Sequence, residues 1–132
     1  MKVQYEEDHS GNFFHVLLFK DFVVKLPKKE VVDNDERLEH IANIQTYLSN
    51  YMEEVMPCYK IGRSLIMPRV YGVSADKLPQ RGKEIRELID DARDRIRKLG
   101  YDLRDANLKN VLYNEETGKI YLIDFHNVRK LK

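Results

Sequence analysis

The first third of the chain carries short apolar runs broken by turn residues, the pattern of strands. Phe13 to Phe19 is aromatic and aliphatic apart from His15, Lys20-Asp21 supplies a two-residue turn, and Phe22 to Leu26 resumes the run before Pro27. That is the signature of a β-hairpin. Residues 2 to 6 are expected to add a third strand across the loop Asp8 to Asn12. From about Asp33 the period changes. Leu38, Ile41, Leu48, Met52 and Val55 fall on one face at about 100° per residue, and Asp33, Asn34 and Asp35 can cap the free N–H groups of the first turn. Pro57 ends this expected helix. Two short strands follow, Tyr59 to Ile61 and Ser64 to Val70, joined by Gly62-Arg63; Pro68 suits the second to an edge or a connection.

A second amphipathic helix is expected from about Arg81 to Leu99. Ile85, Leu88, Ile89, Ala92, Ile96 and Leu99 point inward, charges of both signs point outward, and Gly100 caps the end. The remainder reads as a loop from Tyr101 to Lys109, a strand from Asn110 to Tyr113, a turn from Asn114 to Gly118 and a strand from Lys119 to Phe125. The fold class is therefore α+β: an N-terminal antiparallel sheet plus helix, then a long helix, a loop and a hairpin.

Composition narrows the function. A chain of 132 residues can bury one core but not two, so 1–132 is expected to be a single domain, divided at about residue 70 into a sheet-and-helix part and a remainder. With 42% hydrophobic and 34% charged residues it is an ordinary globular composition. Lys plus Arg number 23 against 22 Asp plus Glu, which leaves no basic field for nucleic acid. No aliphatic and aromatic run is longer than Val16 to Phe19, which cannot span a bilayer, and the acidic start lacks the basic and apolar regions of a signal peptide. The one cysteine, Cys58, has no intrachain disulfide partner, so a cytoplasmic setting is expected. His9, His15, His40 and His126 have no metal-ligand spacing with Cys58 that would suggest zinc. Arg129 to Lys132 read as a short solvated terminus.

Four polar residues stand where the pattern prefers something apolar or neutral: Lys25 late in a strand, Asp105 and Asn110 after the second helix, and Asp124 after Ile, Tyr, Leu and Ile. Together they can hold a magnesium nucleotide. A lysine on a rigid strand neutralises inner phosphates, Asn110 and Asp124 offer hard oxygen ligands to Mg2+, and Asp105 can orient a hydroxyl and accept its proton.

On these residues the chain resembles the protein kinase-like superfamily. Phe22-Val23-Val24-Lys25 resembles the strand of the phosphate-binding lysine, Leu103-Arg104-Asp105 through Asn110-Val-Leu-Tyr resembles the catalytic loop, and Leu122-Ile123-Asp124-Phe125-His126 resembles the metal-binding strand end. The resemblance implies ATP and Mg2+ as cofactors, with adenine held along the connection Ile66 to Val70, at Met67, Arg69 and Val70. It implies Asp105 as base, Asn110 and Asp124 as metal ligands, Lys25 on the phosphates, and Lys109 either reaching the transferring phosphate or lying solvated in the loop. Asp102 and Asn107 offer a second register with the same spacing, but Asn110 alone leads into a short apolar strand. Asn107, two residues after Asp105, is polar as in the small-molecule kinases of the superfamily.

The chain departs from the pattern in three places. The turn before the lysine has the single Gly11 and is approached by Glu6-Glu7-Asp8; the loop histidine is Leu103; and His126 stands where the strand end has glycine. Gln45, on the apolar stripe between Ile41 and Leu48, is one candidate to orient Lys25, and Glu39 the other. Eight residues follow Asp124, so the resemblance covers about the first half of the family's fold. Leu103, Leu108 and some of Ile85, Ile89 and Ile96 are then expected to need cover from a second copy in a homodimer or from a protein partner. The implied function is phosphotransfer to an unknown acceptor. The rival is a weak or inactive kinase-like module acting by protein binding, and a third reading, metal-dependent phosphoester hydrolysis, lacks the expected Glu-x-Lys.

Overall fold

The computed structural model describes residues 6–8, 14–28, 35–104 and 106–131. Strand β1 (Glu6–Asp8), β2 (Phe14–Leu18), β3 (Phe22–Pro27), β4 (Tyr59–Ile61) and β5 (Ser64–Pro68) form one antiparallel sheet in the order β1-β2-β3-β5-β4. The β2–β3 hairpin turns at Lys20-Asp21 as its pattern requires, pairing Val16 with Lys25 and Leu18 with Val23. The β4–β5 turn rests on Gly62, whose φ of 61° is the left-handed conformation that glycine adopts without steric cost. Of the expected first strand, residues 2–5 lie outside the described residues.

Helix α1 spans Asp35–Ser49 and places Asp35 and Glu36 at its positive N-terminal end. Its expected continuation to Pro57 does not form. The helical ladder tightens instead to bonds three residues back, Asn50 N–H to Tyr47 O and Tyr51 N–H to Leu48 O, and leaves the helix. Met52 and Val55 stay buried in the turns that follow, where Val55 N–H donates to Met52 O, so a burial period outlived the helix that suggested it.

Helix α2 (Gly82–Lys98) buries Ile85, Ile89, Ala92 and Ile96. Each buried isoleucine stabilises the fold by roughly 1.5–3 kcal/mol relative to an exposed one. Gly100, at φ 97°, closes the helix end. Three further strands were invisible to local pattern. Strand β6 (Val73–Ser74) joins β8 (Val111–Asn114) and β9 (Lys119–Leu122) in a three-stranded sheet. Strand β7 (Tyr101–Leu103), expected as loop, pairs with β10 (Val128–Lys130), whose Arg129 and Lys130 belong to the expected solvated terminus, and Leu131 N–H closes on Gly100 O at 2.8 Å. Two ends also move: β5 stops at Pro68 and β9 at Leu122.

The segment after α1 ties the two halves together. Leu122 N–H donates to Glu54 O at 2.9 Å, and the Glu54 carboxylate accepts from both Nη atoms of Arg95 on α2. The apolar surface expected to need a partner is largely covered within the chain: Ile85, Ile89, Ile96 and Leu103 are buried and Leu108 is half-buried. Among the described residues no helix is long and apolar enough to cross a membrane.

Candidate functional site

The pleat of β3 decides which side chains face the neighbouring sheet. Successive residues alternate faces, so Val23 and Lys25 share one, and both line a cleft of about 210 Å³ between the five-stranded sheet and the β8–β9 hairpin. Its lining combines apolar side chains, among them Val16, Val23, Met67 and Leu112, with the polar Lys25, Asn110 and Asp124, and Val16 is the cross-strand partner of Lys25. Met67, Arg69 and Val70 are all in the lining; Arg69 donates to Phe19 O at 2.9 Å and its guanidinium lies 4.4 Å from the Tyr71 ring centroid. Gly72, also in the lining, sits so close to β8 that a Cβ would come within 2.8 Å of Tyr113 O.

Asp124 reaches the cleft because β9 ends two residues earlier. Ile123 N–H donates to Asn110 O at 3.1 Å, bringing the loop residue and the strand end together, and Asp124 Oδ1 accepts the His126 N–H at 2.9 Å, which fixes the carboxylate. Lys25 Nζ donates to Ile123 O at 2.5 Å. Desolvation holds the Lys25 ammonium below the usual lysine range, opposed by the nearby negative charge of Asp124. Burial in turn pushes the Cys58 thiol up to about 11, with Lys25 pulling the other way. The Phe14 ring lies 5.9 Å from Lys25 Nζ and meets His126 edge to face at 6.3 Å.

The lowered lysine sets a pH dependence. A lysine whose folded pKa is depressed binds fewer protons folded than unfolded between that pKa and 10.5, so its destabilising effect is full at low pH and is relieved as pH rises through this window. Lys25→Met is expected to unfold in urea at an equal or higher midpoint than the parent at pH 7, the difference shrinking toward pH 10. A parent midpoint clearly above that of Lys25→Met at pH 7 would mean that the ammonium stabilises the fold.

Other expected site residues lie elsewhere. Gln45 is 1% exposed, and its Nε2 donates to Met56 O at 2.9 Å and approaches Met67 Sδ at 3.6 Å. It does not hydrogen-bond Lys25, whose ammonium turns to the Ile123 carbonyl. Glu39 is exposed on α1. Lys109 is exposed and absent from the cleft wall; its N–H is taken by Asn107 Oδ1, which caps the short turn Leu108–Asn110. Asp102 lies in β7 beside Arg97 at 3.6 Å and Arg104 at 3.8 Å. Asn110, not Asn107, lines the cleft. Asp105 lies outside the described residues. The sequence reading missed Phe14 and Tyr121 as cleft walls; for Phe14 the signal was its place at the start of β2, two residues before Val16 on the same face.

No family model matches the chain, and none of the curated proteins matches it. A solved structure of the bifunctional kinase-methyltransferase WbdD aligns with all of the chain at a TM-score of 0.66 and 14% identity. The chain shares a fold with part of that protein. It corresponds to 35% of that chain's length.

Proposed function

We propose that this chain binds a magnesium nucleotide in the cleft and transfers its terminal phosphoryl group. One observation carries the reading: Lys25, Asn110 and Asp124, far apart in sequence, line one cleft whose other walls are largely apolar. The apolar walls suit a planar base, and the fold shared with part of a kinase-methyltransferase agrees with the assignment. Among the described residues there is no cluster of three His, Cys, Asp or Glu that could hold a metal by itself. Magnesium does not need one, since it commonly takes one or two carboxylates and completes its shell with water and phosphate oxygens. Asn110 and Asp124 fit that role.

In this reading Mg2+ would neutralise charge on the phosphates. Lys25 turns from the Ile123 carbonyl toward an inner phosphate, and the added negative charge favours its ammonium form. Asp105 accepts the acceptor hydroxyl proton as the phosphoryl group departs. A second reading, a weak or inactive binding module, is favoured by Lys25 being engaged by Ile123 O with the Phe14 ring beside it.

Thermal unfolding with nucleotide separates the two. Ligand at a hundred times its dissociation constant adds about 2.7 kcal/mol of stability, so MgATP is expected to raise the melting temperature, with a smaller rise without Mg2+ and in Asp124→Asn. No rise with MgATP would remove the nucleotide site. A rise without phosphotransfer to any acceptor or water would support the binding module.

A further inference from the structure

A second cavity, of about 220 Å³, lies behind the candidate catalytic loop, between α2 and Ala106–Leu108. Arg86 and Arg93 line it two helical turns apart on one side of α2, with Asp90 between them. Neighbouring arginines on α2 are paired: Arg95 with Glu54 and Asp91, Arg97 with Asp102. Arg86 and Arg93 enter none of the ion pairs among the described residues, although Asp90 is four residues from one and three from the other. Arg93 Nε is moreover out of water with no hydrogen-bond acceptor. A buried donor without a partner is unfavourable, and native structures normally satisfy it.

We infer that this cavity is an anion-binding site that holds a phosphate or carboxylate group of the phosphoryl acceptor, an inference that rests on the phosphotransfer reading above. A guanidinium presents a planar fork of N–H donors that matches two oxygens of such a group, and an oxygen on Arg93 Nε would satisfy its orphaned donor. Among the described residues of the lining, two guanidiniums stand against one carboxylate, Asp90. Position supplies the link to chemistry. The opposite wall, Ala106 to Leu108, follows directly on Asp105 in the chain, and Asn110, two residues further on, faces the nucleotide cleft. An acceptor anchored by its anion on α2 would extend its hydroxyl around this short loop toward the transfer site. The preferred acceptor class is therefore a small hydroxyl compound that carries a phosphate or a carboxylate, rather than a neutral alcohol.

NMR of the arginine Nε–H groups tests this directly. Glycerol 3-phosphate is titrated against glycerol and glycerate in the full chain, with inorganic phosphate as competitor. The expected result is a saturable shift of the Arg93 Nε–H signal with glycerol 3-phosphate or glycerate and none with glycerol. Competition by phosphate should follow, with affinity about tenfold to a hundredfold weaker in Arg86→Gln and in Arg93→Lys, which keeps the charge but loses the fork. Backbone spectra of both variants establish that they are folded. No shift with either anion, or unchanged affinity in both folded variants, overturns the site. Anion binding that does not lower the KM of a hydroxyl acceptor relative to its neutral analogue overturns the acceptor role. The nucleotide reading is scored separately, by the MgATP melting shift of the parent protein, which does not pass through these arginines.

Discussion

Asp105→Asn is expected to reduce phosphotransfer on the order of a hundredfold to ten-thousandfold, the usual loss when a positioned general base is removed. Asparagine keeps the shape of the side chain and loses the basic oxygen, so nucleotide stabilisation should survive while turnover falls. The control is Asp102→Asn. Asp102 belongs to β7, where its backbone pairs with Arg129 and its carboxylate lies near Arg97 and Arg104. Its loss should alter stability slightly and turnover little. Steady-state rates of the two variants decide the register: a dead Asp102→Asn beside a fully active Asp105→Asn would transfer the role to Asp102.

Gln45→Glu is expected to destabilise the fold by a few kcal/mol, because it replaces a satisfied buried amide by a buried carboxylate. The amide donates to the Met56 carbonyl, and a carboxylate oxygen in its place faces that carbonyl with no proton between them. Lys25, the cation such a carboxylate was expected to orient, is committed through Nζ to Ile123 O. The sign of the pH dependence follows. A buried, unpaired carboxyl has a folded pKa above its unfolded value, so the penalty is full above the folded pKa and shrinks below it, where the protonated acid can again donate to Met56 O. Urea unfolding at pH 7 and pH 5 should show the variant's deficit narrowing at the lower pH. Unchanged stability at pH 7 together with tighter MgATP binding would instead mean that the introduced carboxylate draws Lys25 into a pair.

Gln45 also shows where pattern reading stops. A polar residue on an apolar stripe announces that something pairs with it, but the partner is a carbonyl eleven residues away, brought there because the chain turns after Ser49. A hydrogen bond to backbone leaves no mark on residue identity. The same holds for β7 and β10. Leu103 and Val128 are each buried, yet a three-residue strand carries too few alternations to announce itself, and its pairing joins segments 25 residues apart in the ladder Leu103 with Val128.

By itself the sequence determined what local forces decide. The β2–β3 hairpin came from two apolar runs around a two-residue turn, α2 from a strict stripe of isoleucines ended by Gly100, and the β8–β9 hairpin from apolar runs flanking Asn114 to Gly118. It also marked Lys25, Asn110 and Asp124, because polar residues beside buried apolar runs are unfavourable without a compensating role. Tertiary structure alone decided the rest. It ended β9 before Asp124 by hydrogen-bonding Ile123 N–H to Asn110 O, turned Lys25 to a backbone carbonyl, folded Ile85, Ile89, Ile96 and Leu103 into the chain's own core, and set Arg86 and Arg93 beside the loop outside the ion pairs among the described residues. These outcomes depend on contacts between residues distant in sequence, whose energies are set by geometry and desolvation rather than by the identity of their neighbours along the chain.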